Sequence, residues 1–101
     1  MPDTVNYFKG LVPDNKTVTT DSIEIIPENL KRKMVALINY GNKDVFWAAG
    51  FPAVVDKGLP IAKNGGILLL DQRLMTTNAI NGITASGSSL VGFIEGVKAN
   101  G

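Results

Sequence analysis

The chain has 101 residues, a hydrophobic fraction of 45%, a charged fraction of 19% and a formal net charge of +1. That length suits a single domain burying roughly two-thirds of its unfolded surface, and the charge balance argues against a counterion-release grip on nucleic acid. Neither cysteine nor histidine occurs, which excludes disulfides and thiolate chemistry and removes the commonest general base and metal ligand.

Residues 1–16 carry Pro2 and Pro13 and show no sustained period. They read as an extended N-terminal arm whose Tyr7, Phe8, Leu11 and Val12 are apolar enough to lie on a neighbouring subunit; the plainer reading is a frayed terminus. The amino terminus lacks the basic-then-apolar layout of a secretory signal, and no apolar run is long enough to span a bilayer as a helix. No membrane partner is expected, and the product is expected to be made in a cytoplasm and to leave it, if at all, by a route such as lysis.

Residues 17–101 read as the folded domain. Residues 17–26 (TVTTDSIEII) are rich in β-branched side chains and begin the sheet, and Pro27 stops it because proline cannot donate to a ladder. Residues 27–32 (PENLKR) form a connector or one helical turn anchored by Leu30. The triplet Lys31-Arg32-Lys33 is the sole charge cluster and reads as a solvated strand entrance or a gatekeeper. Residues 33–40 follow as a strand, Gly41-Asn42-Lys43 as a turn and residues 44–49 as a second strand, together the best hairpin signal in the chain. Residues 50–60 (GFPAVVDKGLP) read as a loop around one weak strand at 53–55. Asn64-Gly65-Gly66 turns into a strand at 67–70 (ILLL). A polar link at 74–79 leads to a strand at 80–85, a tight Ser86-Gly87-Ser88-Ser89 turn and a closing strand at 90–97, after which the chain frays. Turn signals recurring about every ten residues predict an antiparallel β-sandwich or flattened barrel of about seven or eight strands.

Several of these strands are apolar on both faces. In 33–40 (KMVALINY), Met34, Ala36 and Ile38 point one way and Val35 and Leu37 the other. In 44–51 (DVFWAAGF), Val45, Trp47 and Phe51 oppose Phe46 and Ala48, and 90–94 (LVGFI) repeats the pattern. An antiparallel sheet with one wet face shows one polar parity. Apolar runs on both faces normally mark a sheet covered by helices, and no convincing helix is legible here. Copies of the same chain are the natural cover, so an assembling, non-catalytic protein is expected.

Candidate chemistry is sparse. Ser86-Gly87-Ser88-Ser89 has the composition of a turn and no Ser-x-x-Lys partner. The acids Asp3, Asp14, Asp21, Glu24, Glu28, Asp44, Asp56, Asp71 and Glu95 are scattered rather than paired for glycoside hydrolysis. Asp56-Lys57-Gly58 and Asp14-Asn15 are too thin for a calcium loop, Gly65-Gly66 lacks a phosphate-loop arrangement, and Asn15-Lys16-Thr17 is a bare glycosylation sequon. No catalytic, cofactor or metal residue is expected. Phe46, Trp47 and Phe51 could stack a sugar or base; at strand spacing, core or subunit interface is the commoner role for such rings.

Six segments carry a resemblance: Ala36-Leu37-Ile38-Asn39-Tyr40-Gly41, Val45-Phe46-Trp47, Gly58-Leu59-Pro60-Ile61, Asn64-Gly65-Gly66-Ile67-Leu68-Leu69-Leu70, Ile83-Thr84-Ala85-Ser86-Gly87 and Val91-Gly92-Phe93-Ile94-Glu95. In this order they resemble small virion proteins of tailed bacteriophages. The resemblance implies a β-sandwich that decorates or cements a capsid, or sits on a head or tail fibre, commonly as a trimer on the outer surface of the virion. It implies the chain itself and a major capsid protein as partners, and brings no catalytic residues. The interface residues expected are Tyr7, Phe8, Leu11 and Val12 in the arm and Phe46, Trp47 and Phe51 in the aromatic hairpin. The rival expectation is a carbohydrate- or receptor-binding module using Trp47 with Asp44 or Asn42, and a small hydrolase is a more distant one.

Overall fold

Eight strands and no helix make up residues 8–71 and 76–98, the part of the chain described by a computed structural model. They are β1 (Phe8–Val18), β2 (Ile23–Ile26), β3 (Arg32–Asn39), β4 (Val45–Ala49), β5 (Pro60–Ile61), β6 (Ile67–Leu70), β7 (Ile80–Ile83) and β8 (Ser89–Lys98). Two four-stranded antiparallel sheets result, ordered β1-β8-β3-β6 and β2-β7-β4-β5. The expected antiparallel sandwich is therefore what the chain forms. Its strand order is that of a jelly roll, in which the chain passes from sheet to sheet.

The core lies between the sheets. Val18, Val35, Leu37, Leu70 and Val91 from the first sheet meet Ile25, Ile26, Val45, Ile61 and Ile80 from the second. Period-two alternation does the sorting in β3, where Val35, Leu37 and Asn39 are buried and Ala36 and Ile38, facing out, are half-buried. At about 25 cal/mol per Å² of apolar surface, removing these aliphatic side chains from water is the main term favouring the sandwich.

Four expectations need correction. The hairpin expected from residues 33–40 and 44–49 does not form, because β3 lies in the first sheet and β4 in the second. Gly41-Asn42-Lys43 is a corner between sheets, and the only strands adjacent in sequence that pair with each other among the described residues are β4 and β5. Residues 53–55 form no strand. A turn takes their place, with Asp56 at φ 63°, Gly58 at φ 72° and the Lys57 N–H donating to Val54 O (3.2 Å), and Pro60–Ile61 pairs with β4 instead. The single strand expected at 17–26 is divided between the end of β1 and β2.

Lys31-Arg32-Lys33 is the fourth. Lys31 and Lys33 are exposed, whereas Arg32 is 1% exposed. Its Nε donates to Glu95 Oε2 (2.5 Å), its Nη1 to the carbonyls of Thr76 (2.9 Å) and Asn78 (3.0 Å), and its Nη2 to that of Pro27 (2.7 Å). The two lysines are solvated at the strand entrance, as expected, and the arginine is not.

The corner after β3 depends on a close approach. A Cβ on Gly41 would collide with the Ser89 hydroxyl and lie 2.7 Å from Ser89 Cα, which is backbone and has no rotamer to yield. Gly41→Ala is expected to cost about 1–3 kcal/mol, read as a lowered midpoint in urea with an unchanged slope.

Candidate assembly surface

The outer face of the first sheet is built in rows across β1, β8, β3 and β6. Pro13, Ile94, Ala36 and Leu69 share one row; Asn15, Gly92, Ile38 and Ile67 share the next. Thr17 and Leu90 lie beyond them, level with Tyr40, whose N–H donates to Leu90 O (2.9 Å). None of these side chains is charged. Ile67 is 70% exposed, Tyr40 63%, Leu69 53% and Leu90 40%.

A glycine shapes the middle of this face. A Cβ on Gly92 would lie 2.6 Å from Tyr40 Cε2, 3.3 Å from Cδ2 and 3.5 Å from Ile38 Cγ2. The Tyr40 ring therefore lies over Gly92 and against Ile38, in space that a side chain at 92 would fill. Around it runs an open groove of about 580 Å³, bounded by Pro13, Asn15, Tyr40, Ile67 and Ile94. Its walls are largely apolar, with Asp14 and Asn15 at the β1 rim, an arrangement that suits a protein contact with a polar margin.

The second sheet presents a mixed outer face. Phe46 stands beside Ile83 and Pro60, and Ala48 beside Asn81, which is also opposite Glu24. The two sheets thus differ in kind: the outer face of the second mixes apolar side chains with Asn81 and Glu24, and that of the first is mostly apolar.

The residues expected at an interface do not gather in one place. Tyr7 lies outside the described residues. Phe8, Leu11 and Val12 belong to β1 by their backbone, with side chains outside the described set. Phe46 is half-buried on the outer face of the second sheet. Trp47, one residue on, turns inward and packs partly buried against the core, and its Nε1 is buried without a hydrogen-bond acceptor among the described residues. Phe51 lies past the end of β4, 73% exposed, with its carbonyl accepting from Asn81 Nδ2 (2.6 Å). Of the polar neighbours expected to help Trp47 hold a sugar, Asp44 accepts from the Lys63 N–H through Oδ1 (2.9 Å), and Asn42 is exposed in the corner.

Sequence reasoning recognised Ala36 and Ile38 as the second apolar parity of β3 but did not single out Ile67, Leu69, Tyr40 or Leu90. The four-residue run ILLL has no alternation, so its outward pair cannot be identified until β6 is paired with β3. Comparison with protein-family models, with curated proteins and with solved structures finds no match to this chain.

Proposed function

We propose that this chain is a non-catalytic virion protein that decorates or cements a bacteriophage capsid, using the apolar outer face of β1-β8-β3-β6 to bind other copies of itself and the major capsid protein. The observation that carries the reading is that face: adjacent rows of mostly apolar side chains, with polar groups confined to β1 at its edge, uncovered by any described part of the chain. Contiguous apolar surface of a few hundred Å² marks contact sites on soluble proteins. The segments that resemble small phage virion proteins include three of the strands forming this face. Jelly rolls recur in viral capsid domains, and this chain has that strand order.

The mechanism is mechanical. Each bound copy buries apolar area on the shell and stabilises the bound lattice by mass action. Repetition over the shell lets a modest contact resist internal pressure.

The test is sedimentation of the purified chain alone and mixed with undecorated capsids. The native chain is expected to co-sediment with shells. The double variant Tyr40→Glu/Leu90→Glu changes two exposed positions and is expected to remain folded and to bind at least about tenfold more weakly, since each buried unpaired charge costs more than 1.4 kcal/mol. A native chain that ignores shells would sink the proposal.

A further inference from the structure

We propose that β6 is a pairing edge: two copies of this chain join β6 to β6 antiparallel across a two-fold axis, fusing their first sheets into one sheet of eight strands. This rests on reading the apolar outer face as an assembly surface, and it names a second copy as an occupant at its margin.

The four sheet edges differ in how they are protected. An edge strand offers unpaired N–H and C=O groups, and natural edges are blunted by proline, charge, bulges or brevity. β1 carries Pro13, Asp14 and Lys16 and a register shift between Phe8 and Gly10. β2 carries Glu24 and a register shift between Glu24 and Ile26. β5 is two residues long and begins with Pro60. β6 has none of these devices: it is Ile67–Leu70, wholly aliphatic, and pairs with β3 without a shift. Its other edge has no backbone partner among the described residues.

The groups that edge offers follow from the ladder. The Asn39 N–H donates to Gly66 O (2.9 Å), and hydrogen-bonded pairs alternate along an antiparallel ladder. Leu68 and Leu70 therefore bond inward to β3, while the N–H and C=O of Ile67 and Leu69 point away from it. The same two residues carry the exposed side chains of the strand.

This spacing is self-complementary. With a two-fold axis at Leu68, Ile67 of one copy meets Leu69 of the other and Leu69 meets Ile67, each a hydrogen-bonded pair, and Leu68 faces its own copy. Side chains then match by face, with Ile67 beside Leu69 outside and Leu68 beside Leu68 inside.

The contact is local to the edge: Ile67 and Leu69, 70% and 53% exposed, flank the seam, and the free β6 backbone groups supply the rest, while Tyr40 and Leu90 lie one and two strands in from it. A two-fold contact makes pairs, so a trimer of the kind the resemblance implies would have to use another surface.

Sedimentation equilibrium on the full chain, with three variants, tests the pairing. The native chain is expected to reach dimer mass as concentration rises. Leu69→Pro removes only an outward-pointing N–H, a position where an edge strand accepts proline, and is expected to give a monomer with a native circular-dichroism spectrum. Leu69→Lys, at an exposed position, is expected to do the same and carries the test if the proline variant unfolds. The chain has no cysteine, so Leu68→Cys reports the register. Directly opposed non-hydrogen-bonded residues have Cα atoms about 4.5 Å apart, within disulfide range, and a covalent dimer is expected under oxidation. A native monomer, a native trimer, or a dimer unaffected by both Leu69 variants would overturn the pairing, as would failure of Leu68→Cys to cross-link. Shell binding by a monomeric native chain would overturn the pairing and leave the face reading standing; a β6-paired dimer that ignores shells would do the reverse.

Discussion

Replacing Arg32 by methionine is expected to destabilise the chain by about 3–5 kcal/mol, the usual cost of removing one partner of a buried ion pair. At this length that lowers the thermal midpoint by roughly 15–25 °C. The size of the effect follows from what the guanidinium holds. Its side chain is fully buried, against 21% exposure for Glu95, and it donates to four acceptors in separate parts of the chain. Glu95 is in β8, Pro27 follows β2, and Thr76 and Asn78 precede β7, so one side chain ties the start of β3 to segments entering and leaving the opposite sheet. Removal leaves a carboxylate without its cation and three carbonyls without a donor. Arg32→Lys is expected to cost less, about 1–3 kcal/mol, because a single ammonium keeps the charge but cannot reproduce the planar fork. The double variant Arg32→Met/Glu95→Leu is expected to recover only part of the loss, since the carbonyls of Pro27, Thr76 and Asn78 remain unpaired. Thermal unfolding of these variants measures the series. An Arg32→Met protein within about 1 kcal/mol of the native chain would show that the network contributes little.

What could be read beforehand was local or periodic. Turn spacing indicated an all-β sandwich, and the two apolar parities of Val35, Leu37 and Ala36, Ile38 marked a strand apolar on both faces. The strand at 67–70 was legible because Asn64-Gly65-Gly66 precedes it. What failed depended on partners distant in sequence. A Gly- and Asn-containing link between two apolar runs is the ordinary hairpin signal, yet here β3 and β4 go to opposite sheets, and β3 finds β6 and β8. Arg32 was hidden by a bulge. The register shift between Arg32 and Met34 breaks the period, so counting back by twos from Val35 places Lys33 inside and Arg32 outside, the opposite of what occurs. The aromatic trio was split by the same alternation that sorts every strand, with Phe46 outward, Trp47 inward and Phe51 beyond the strand end. Asn39 was the most informative signal left unused: a polar residue at the inward parity of β3, two positions past Leu37.

Asn39→Leu is accordingly expected to be the second severe substitution, at about 4 kcal/mol, although leucine fits the apolar surroundings in size. Asn39 is 0% exposed and every polar site on its amide is used. Nδ2 donates to Lys43 O (2.6 Å) and Ile61 O (2.9 Å), while Oδ1 accepts from the Gly41 N–H (3.0 Å) and the Ser89 hydroxyl (2.6 Å). These partners lie in the corner after β3, in β5 and at the start of β8, so the amide fastens both sheets where the chain crosses between them. Leucine would take the amide from all four groups, of which those of Ile61 and Ser89 are in buried residues and those of Gly41 and Lys43 in half-buried ones, at about 1–3 kcal/mol for each buried group before relaxation. Asn39→Asp separates the two halves of the role. A carboxylate keeps both acceptor contacts but faces two carbonyl oxygens with no donor, and burial among them raises the pKa of the new carboxyl above its unfolded value. A group with a raised folded pKa binds more protons in the native state, so stability is lost as pH rises through that pKa and regained as pH falls. Relative to the native chain, the Asn39→Asp deficit is expected to shrink between pH 7 and about pH 4.5, as the protonated oxygen donates to one of the two carbonyls, while the Asn39→Leu deficit stays constant. Urea unfolding of the three proteins across that range measures both effects. Parallel pH profiles for Asn39→Asp and Asn39→Leu would mean that the donors to Lys43 and Ile61 are not what holds the corner.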